Sequence, residues 1–287
     1  MSNDILHTIE NGMPDFSRGQ KRIASFILQS YDKAAFMTAS RLGQTVQVSE
    51  STVVRFAAEI GCDGYPGMQR ALQEMVRSKL TSLQRIEVAD DLMGEQDILS
   101  MVFRSDIERL HMTLKELDRT AFDAAVQTIL QAKNIYIMGL RSSYTIARFL
   151  GFYFRLILQN VTVLTGDAAG DLYAQMIHIG PGDVLISISF PRYSTMTTGI
   201  SRWAASRGAE LIALTDSETS PIAPTASHTL LAKSDMVSFI DSLVAPLSLA
   251  NALIVSLSRH RKQELNETLE TLEQIWSDYD IYEENQH

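Results

Sequence analysis

The sequence predicts two folded units in series: an all-α unit, then an α/β unit whose parallel sheet is flanked by helices on both faces. Three observations carry this expectation. Residues 1–80 hold helical periodicity and no strand pattern. From Asn134 onward, short β-branched or aliphatic runs alternate with helical patterns, as βαβ units require. A chain of 287 residues, 45% hydrophobic and 21% charged, is long enough and apolar enough for two ordinary cores.

The amino-terminal unit reads as five helices. In FSRGQKRIASFILQSY the apolar residues Ile23, Phe26 and Ile27 share a face, and Ser17 is a plausible N-cap. Met37 to Gln44 and Ser49 to Ile60 follow, with Ser49 as the second cap. Gly61 stops that helix, and GYPG supplies a turn before a last helix from about Met68 to Leu80. Ala39 and Leu42 are expected to face inward on the first of the central pair, and Val53, Val54 and Ala57 on the second. Ser49, Glu50, Ser51 and Thr52, with Arg55 one turn later, are then left outward. Two short helices joined by a tight turn, the second opening on small hydroxylated residues with an arginine behind, suit the DNA major groove. The same pattern also serves as a packing scaffold.

Residues 81–120 read as a helical connector, with Leu99, Val102, Phe103, Ile107 and Leu110 along one stripe. Residues 121–280 form the second unit. Its strand candidates are NIYIMG, VTVLTGD, DVLISIS, ELIALTD and HTLLA, with helices at Ser142 to Gln159, Ala168 to His178 and Ser194 to Arg207 between them. The stretch SLVAPLSLANALIVSLS is apolar on most sides, which predicts burial in the core or in a subunit interface. The terminal EENQH is polar and expected to fray.

Composition narrows the function. The net charge of −9 is uneven: residues 1–85 carry 10 Lys/Arg against 8 Asp/Glu, a balance of +2, and the remainder carries 15 against 26, a balance of −11. The positive segment holds the paired helices, and Arg18, Lys21, Arg22, Arg41, Arg55, Arg70, Arg77 and Lys79 are its candidates for phosphate contact. A single cysteine, Cys62, fits a reducing cytoplasm and a packing role. No apolar run is long enough to cross a bilayer, the start MSNDILHTIENG is no signal peptide, and six histidines without paired spacing imply no metal.

In an open parallel sheet, ligands bind at the carboxyl ends of the strands. Those loops are rich in hydroxyls and arginines: Gly139-Leu140-Arg141-Ser142-Ser143 after the first strand and Ser187-Ile188-Ser189-Phe190-Pro191-Arg192-Tyr193-Ser194 after the third. Thr215-Asp216-Ser217 follows the fourth. Hydroxyls and amides at helix N-termini receive anions, and arginine adds bidentate bonds. The expected ligand is a small anion.

TASRLGQTVQVSESTVVRFAAEIGCDGYPGMQRAL, together with this strand order, resembles bacterial transcription regulators of the RpiR (MurR) type over nearly the whole chain. Such proteins join a helix-turn-helix to a sugar isomerase (SIS) domain. The resemblance implies a cytoplasmic regulator that binds operator DNA as a dimer or tetramer and senses phosphosugars in the SIS cleft. It implies Ser49, Glu50, Ser51, Thr52 and Arg55 on the recognition helix, with Tyr65 and Arg70 as backbone contacts. The ligand candidates are those of the strand-end loops themselves: Arg141, Ser142, Ser143, Ser187, Ser189, Arg192, Tyr193 and Ser194. No cofactor is implied.

Two loops depart from the SIS pattern. Where it has G-x-G-x-S, this chain has Gly139-Leu140-Arg141-Ser142-Ser143, and where it has S-x-S-G-x-T, this chain has Ser189-Phe190-Pro191-Arg192-Tyr193-Ser194. A side chain replacing those glycines is expected to obstruct amides that close on a phosphate, and Pro191 removes one donor. Either the two arginines take over the anion, which then includes sugar acids, or they fill the pocket and leave an oligomerisation module. A SIS isomerase needs a placed acid or base. Glu218, His228, Asp171 and His178 make no compelling pair, so catalysis is not expected.

Overall fold

The computed structural model describes residues 5–79, 81, 83–86, 97–166, 168–235 and 240–281, with side chains at 74 and 77–79 excepted. The side chains of Arg77 and Lys79, and the EENQH tail, therefore lie outside the described residues. The chain divides into two compact units, Met1–Ser105 with Asp235–Ser242, and Asp106–Ser234 with Leu243–His287.

The first unit is helical: α1 Ile5–Gly12, α2 Arg18–Gln29, α3 Tyr31–Ala34, α4 Ala39–Thr45, α5 Glu50–Glu59 and α6 Gly64–Lys79. Ser17 caps α2 through a full capping box with Gln20, and Thr38 and Ser49 cap α4 and α5 by accepting from the amides of Arg41 and Thr52. GYPG is not a turn ahead of the last helix, as the sequence suggested, but its first turn. Proline is tolerated there because its missing N–H would have no helical partner. The core gathers Ile9, Ile23, Ile27, Leu42, Val53, Phe56 and Leu72, with Phe16 edge-on to Phe56 at 5.2 Å. The segment Asp235–Ser242, assigned from sequence to the second unit, belongs with the first. There Arg85, only 3% exposed, pairs with Asp241 at 2.8 Å.

The long helix α7, Ile98–Glu116, spans the division between the units. Its apolar stripe is present but faces outward, with Leu99, Phe103 and Ile107 each more than half exposed.

The second unit follows as α8 Arg119–Gln131, β1 Ile135–Gly139, α9 Ser142–Ile157, β2 Val161–Val163, α10 Ala169–Gln175, β3 Val184–Ile188, α11 Thr195–Ser206, β4 Glu210–Thr215, β5 His228–Leu231, α12 Val244–His260 and α13 Lys262–Asp278. All five expected strands form, every pairing is parallel, and the order is β2-β1-β3-β4-β5. Strand alternation divides the core. Ile135, Ile137, Val184, Ile186, Ile212 and Leu214 pack on α8, α9 and α12, whereas Met138, Leu185 and Leu211 pack on α10 and α11. Burial on both faces explains why the strands read as continuous apolar runs. The apolar stretch before Arg261 becomes α12, whose Leu249, Leu253 and Leu257 join this core. Among the described residues no helix is long and apolar enough to cross a membrane.

Candidate functional site

The α4–α5 turn is held by main-chain geometry. Val48 N–H donates to the Gly43 carbonyl at 2.8 Å, and a Cβ on Gly43 would approach Val48 O to 2.9 Å. Gln47 turns the chain at φ 55, a conformation few side chains adopt. From this pivot α5 presents Ser49, Glu50, Ser51 and Arg55 to solvent, with Thr52 half-buried. The Ser49 hydroxyl lies 2.9 Å from that of Ser51 and 2.8 Å from that of Thr52. Arg55 reaches back to the Ser51 carbonyl and hydroxyl at 3.3 and 3.4 Å. Hydroxyls, a carboxylate and a guanidinium thus share one exposed helical face. These are the donors and acceptors that base edges and phosphates require.

Two sequence expectations about this region fail. Val54 does not face inward: it is 41% exposed, because the buried set is Val53, Phe56 and Ala57 on α5 with Ile60 at its C-cap, spaced by three and four residues. It stands on the outward face beside Ser51 and Arg55, an apolar group that the sequence reading missed. Tyr65 is not a surface group. It is buried, its hydroxyl donates to the Met37 carbonyl at 2.7 Å, and burial pushes its pKa up to about 12. Gln69 and Gln73 likewise donate to Met37 and Ala35. The three side chains tie α6 to the link ahead of α4, which makes Tyr65 a positioning residue for the turn. Arg70 is exposed, and the half-buried Cys62 thiol is pushed up by desolvation, as suits a packing residue.

In the second unit the order β2-β1-β3-β4-β5 reverses direction between β1 and β3. Crevices form at such a switch point, beyond the carboxyl ends of the strands. The two arginine loops follow β1 and β3, so topology brings them to this one place. Gly139 is required there, since a Cβ would overlap the main chain of Ser143. Leu140 to Ser143 then forms a turn closed by Ser143 N–H onto the Leu140 carbonyl at 3.1 Å, with Arg141 at φ 54 and ψ −126. That is the first central position of a type II′ turn, where glycine is favoured. The turn itself therefore accommodates a side chain: the main chain takes a glycine-like conformation and carries the arginine on it. Helix α9 opens at Ser142 with no side-chain cap, and Arg141, Ser142 and Arg192 are exposed while Ser143 is buried.

The remaining candidates are more committed. Ser187 is fully buried and 2.8 Å from the hydroxyl of Ser201, which pins β3 to α11; its place within the strand, rather than in the loop beyond, removes it from the ligand set. The amide of Ser189 donates to Leu214, and its carbonyl accepts from Thr215 at 2.7 Å. Tyr193 donates to Asp216 at 2.8 Å, and Ser194 caps α11 by accepting from the Thr197 amide. Thr197, absent from the sequence candidates, carries a buried hydroxyl with no hydrogen-bond partner among the described residues. His228 is spent on Thr128 at 2.9 Å, joining β5 to α8, so it is a packing group.

Comparison with known proteins agrees with both halves. The model described as "Helix-turn-helix domain, rpiR family" matches residues 3–79, and the SIS domain model matches residues 128–256. The HTH-type transcriptional regulator HexR of Pseudomonas aeruginosa is 26% identical over 212 residues, covering 74% of this chain and 73% of its own. The sugar isomerase domain of an RpiR transcription factor from Sphaerobacter thermophilus is 31% identical at a TM-score of 0.60, covering 62% of this chain and 99% of its own. The NanR protein of Vibrio vulnificus, solved with ManNAc-6P, shares the fold at 22% identity and a TM-score of 0.59, covering 96% and 98%. An amino-terminal helix-turn-helix and a carboxyl-terminal SIS domain in one chain place this protein in the RpiR family of transcriptional regulators rather than among the isomerases.

Proposed function

We propose that the chain reads operator DNA through the exposed face of α5 and responds to a small anionic sugar derivative, a sugar phosphate or sugar acid, at the β1–β3 switch point. On α5, Ser49, Glu50, Ser51, Thr52 and Arg55 are the polar readers, and Val54 offers an apolar contact of the kind a thymine methyl accepts. Arg70 is available to a phosphate. In the cleft, Arg141, Ser142, Arg192 and the buried hydroxyl of Thr197 are the ligand groups. Ser143, Ser189, Tyr193 and Ser194 shape the loops that carry them. The protein acts in the cytoplasm, where its DNA is, and self-associates. The outward stripe of Leu99, Phe103 and Ile107 on α7 is an apolar surface suited to a second copy.

The observation that carries the ligand reading is the conformation of Arg141. Holding a non-glycine residue there costs about 1–3 kcal/mol, and such strain concentrates at binding sites. Positive charge at an uncapped helix N-terminus on the switch point suits an anion. The NanR complex with ManNAc-6P supports a phosphorylated sugar in a site of the same fold.

Arg141→Gly separates stability from function. Relief of the strained φ should raise the stability of the second unit by about 1 kcal/mol, while loss of the guanidinium weakens anion binding about tenfold or more. Thermal unfolding with and without a series of sugar phosphates and sugar acids checks both. A variant that is more stable and keeps the full ligand-induced shift would remove Arg141 from the site.

A further inference from the structure

The first unit carries a second cationic surface beside the recognition helix. Arg18, Lys21 and Arg22, all exposed and all near the start of α2, border one open groove of about 680 Å³. The opposite side is the α4–α5 turn at Thr45 and Gln47, and no carboxylate lines the groove. Among the described residues none of the three cations forms an ion pair, and the Lys21 ammonium donates to the Pro14 carbonyl at 3.2 Å. Three like charges on one rim repel each other until an anion arrives.

The place of the groove says which anion. A Cβ on Gly19 would lie 3.6 Å from both Thr52 Cγ2 and Val48 Cγ1. The first turn of α2 therefore abuts the start of α5, with Arg18 and Arg22, four residues apart, on one helical face beside the contact. The major groove is about 12 Å wide and bounded by two phosphate strands, so a helix lying in it has phosphates beside its first turn.

We propose that Arg18, Lys21 and Arg22 form a phosphate clamp that holds one strand of the duplex against α2 and sets the depth and register of α5. The clamp rests on the reading of α5 as the base-contacting helix. It reads no bases, so its contribution is the same on any sequence.

The test uses the full-length chain carrying Arg18→Gln, Lys21→Gln and Arg22→Gln together, with binding followed by fluorescence anisotropy across a salt series. The probes are a random-sequence duplex and the fragment upstream of the protein's own gene. Each phosphate contact contributes about 0.9 to the slope of log affinity against log salt, so the slope should shrink by about two to three on both DNAs, with the preference between them kept. The charge-conserving variant Arg18→Lys with Arg22→Lys should restore most of the slope. Unchanged slope and affinity on both DNAs would overturn the clamp. So would an affinity loss confined to the upstream fragment, which would mean the cations act through α5.

Ser51→Glu, run in parallel, separates the two claims. If it abolishes binding while the triple variant binds as wild type, the clamp falls and the reading of α5 stands. If it binds as wild type while the triple variant loses its slope, the groove still meets phosphate, but the reading of α5 falls and the groove's role as its clamp falls with it.

Discussion

Replacing Ser51 by glutamate is expected to abolish operator binding, a loss of about a hundredfold or more, since like charges forced together at an interface cost several kcal/mol. Ser51 is exposed in the first turn of α5, within reach of Arg55. A glutamate there adds a second carboxylate beside Glu50 on the surface that must approach phosphates. It can also take Arg55 into an i,i+4 ion pair and withdraw that guanidinium from DNA. The fold should not suffer, because acids near a helix N-terminus stabilise it by about 0.3–1 kcal/mol. Anisotropy and thermal unfolding together check the effect. Undiminished affinity in a folded Ser51→Glu protein would take the first turn of α5 off the interface.

Gly139→Ala should have the largest effect in the second unit. The added Cβ would overlap the Ser143 carbonyl oxygen, with its carbon 2.7 Å away, and these are main-chain atoms fixed by the start of α9. Forced overpacking costs about 1–3 kcal/mol and sometimes more, which for a unit of this size lowers its melting temperature by about 3–10 °C. The β1–α9 loop must open, so the response to anions is lost with it. The neighbouring Arg141→Gly is expected to move stability the other way. A pair of substitutions two residues apart with opposite signs is a sharp check on the turn geometry. Equal melting temperatures for Gly139→Ala and wild type would mean that the loop is looser than its close contacts imply.

The fold was largely legible because its signals are local and redundant. Five aliphatic runs, each flanked by Gly, Asp or Ser, became the five strands, and Ser17 and Ser49 cap the helices they were assigned. The failures share a cause: adjacent residues that composition cannot separate but geometry can. Val53 and Val54 are chemically identical, yet a helical step of one residue turns one into the core and the other to solvent. Ser187 and Ser189 both end an apolar run, but only the second lies beyond the strand, and the first is bound to Ser201. The resemblance implies Tyr65 at the DNA backbone, and the sequence does not show that its hydroxyl is taken by the Met37 carbonyl. Arg141 is the most instructive case. Its identity marks a departure from the glycine pattern, and only the dihedral angles show that it occupies the glycine-favouring position of a type II′ turn.

The outward stripe on α7 could be recognised as periodic but not as exposed. An apolar row at helical spacing looks the same whether its partner is the same chain or another copy. Exposure of 68% at Leu99 and 64% at Phe103 shows only that the row is not buried within the described residues of this chain.

The most direct test of the central claim is fluorescence anisotropy of the full-length protein on the DNA upstream of its own gene, against a scrambled duplex, with and without sugar phosphates and sugar acids. The expected result is tight, salt-sensitive preference for the native fragment, altered by at least one anionic sugar and not by its uncharged counterpart. Equal and weak binding to both duplexes, indifferent to every anion, would contradict it.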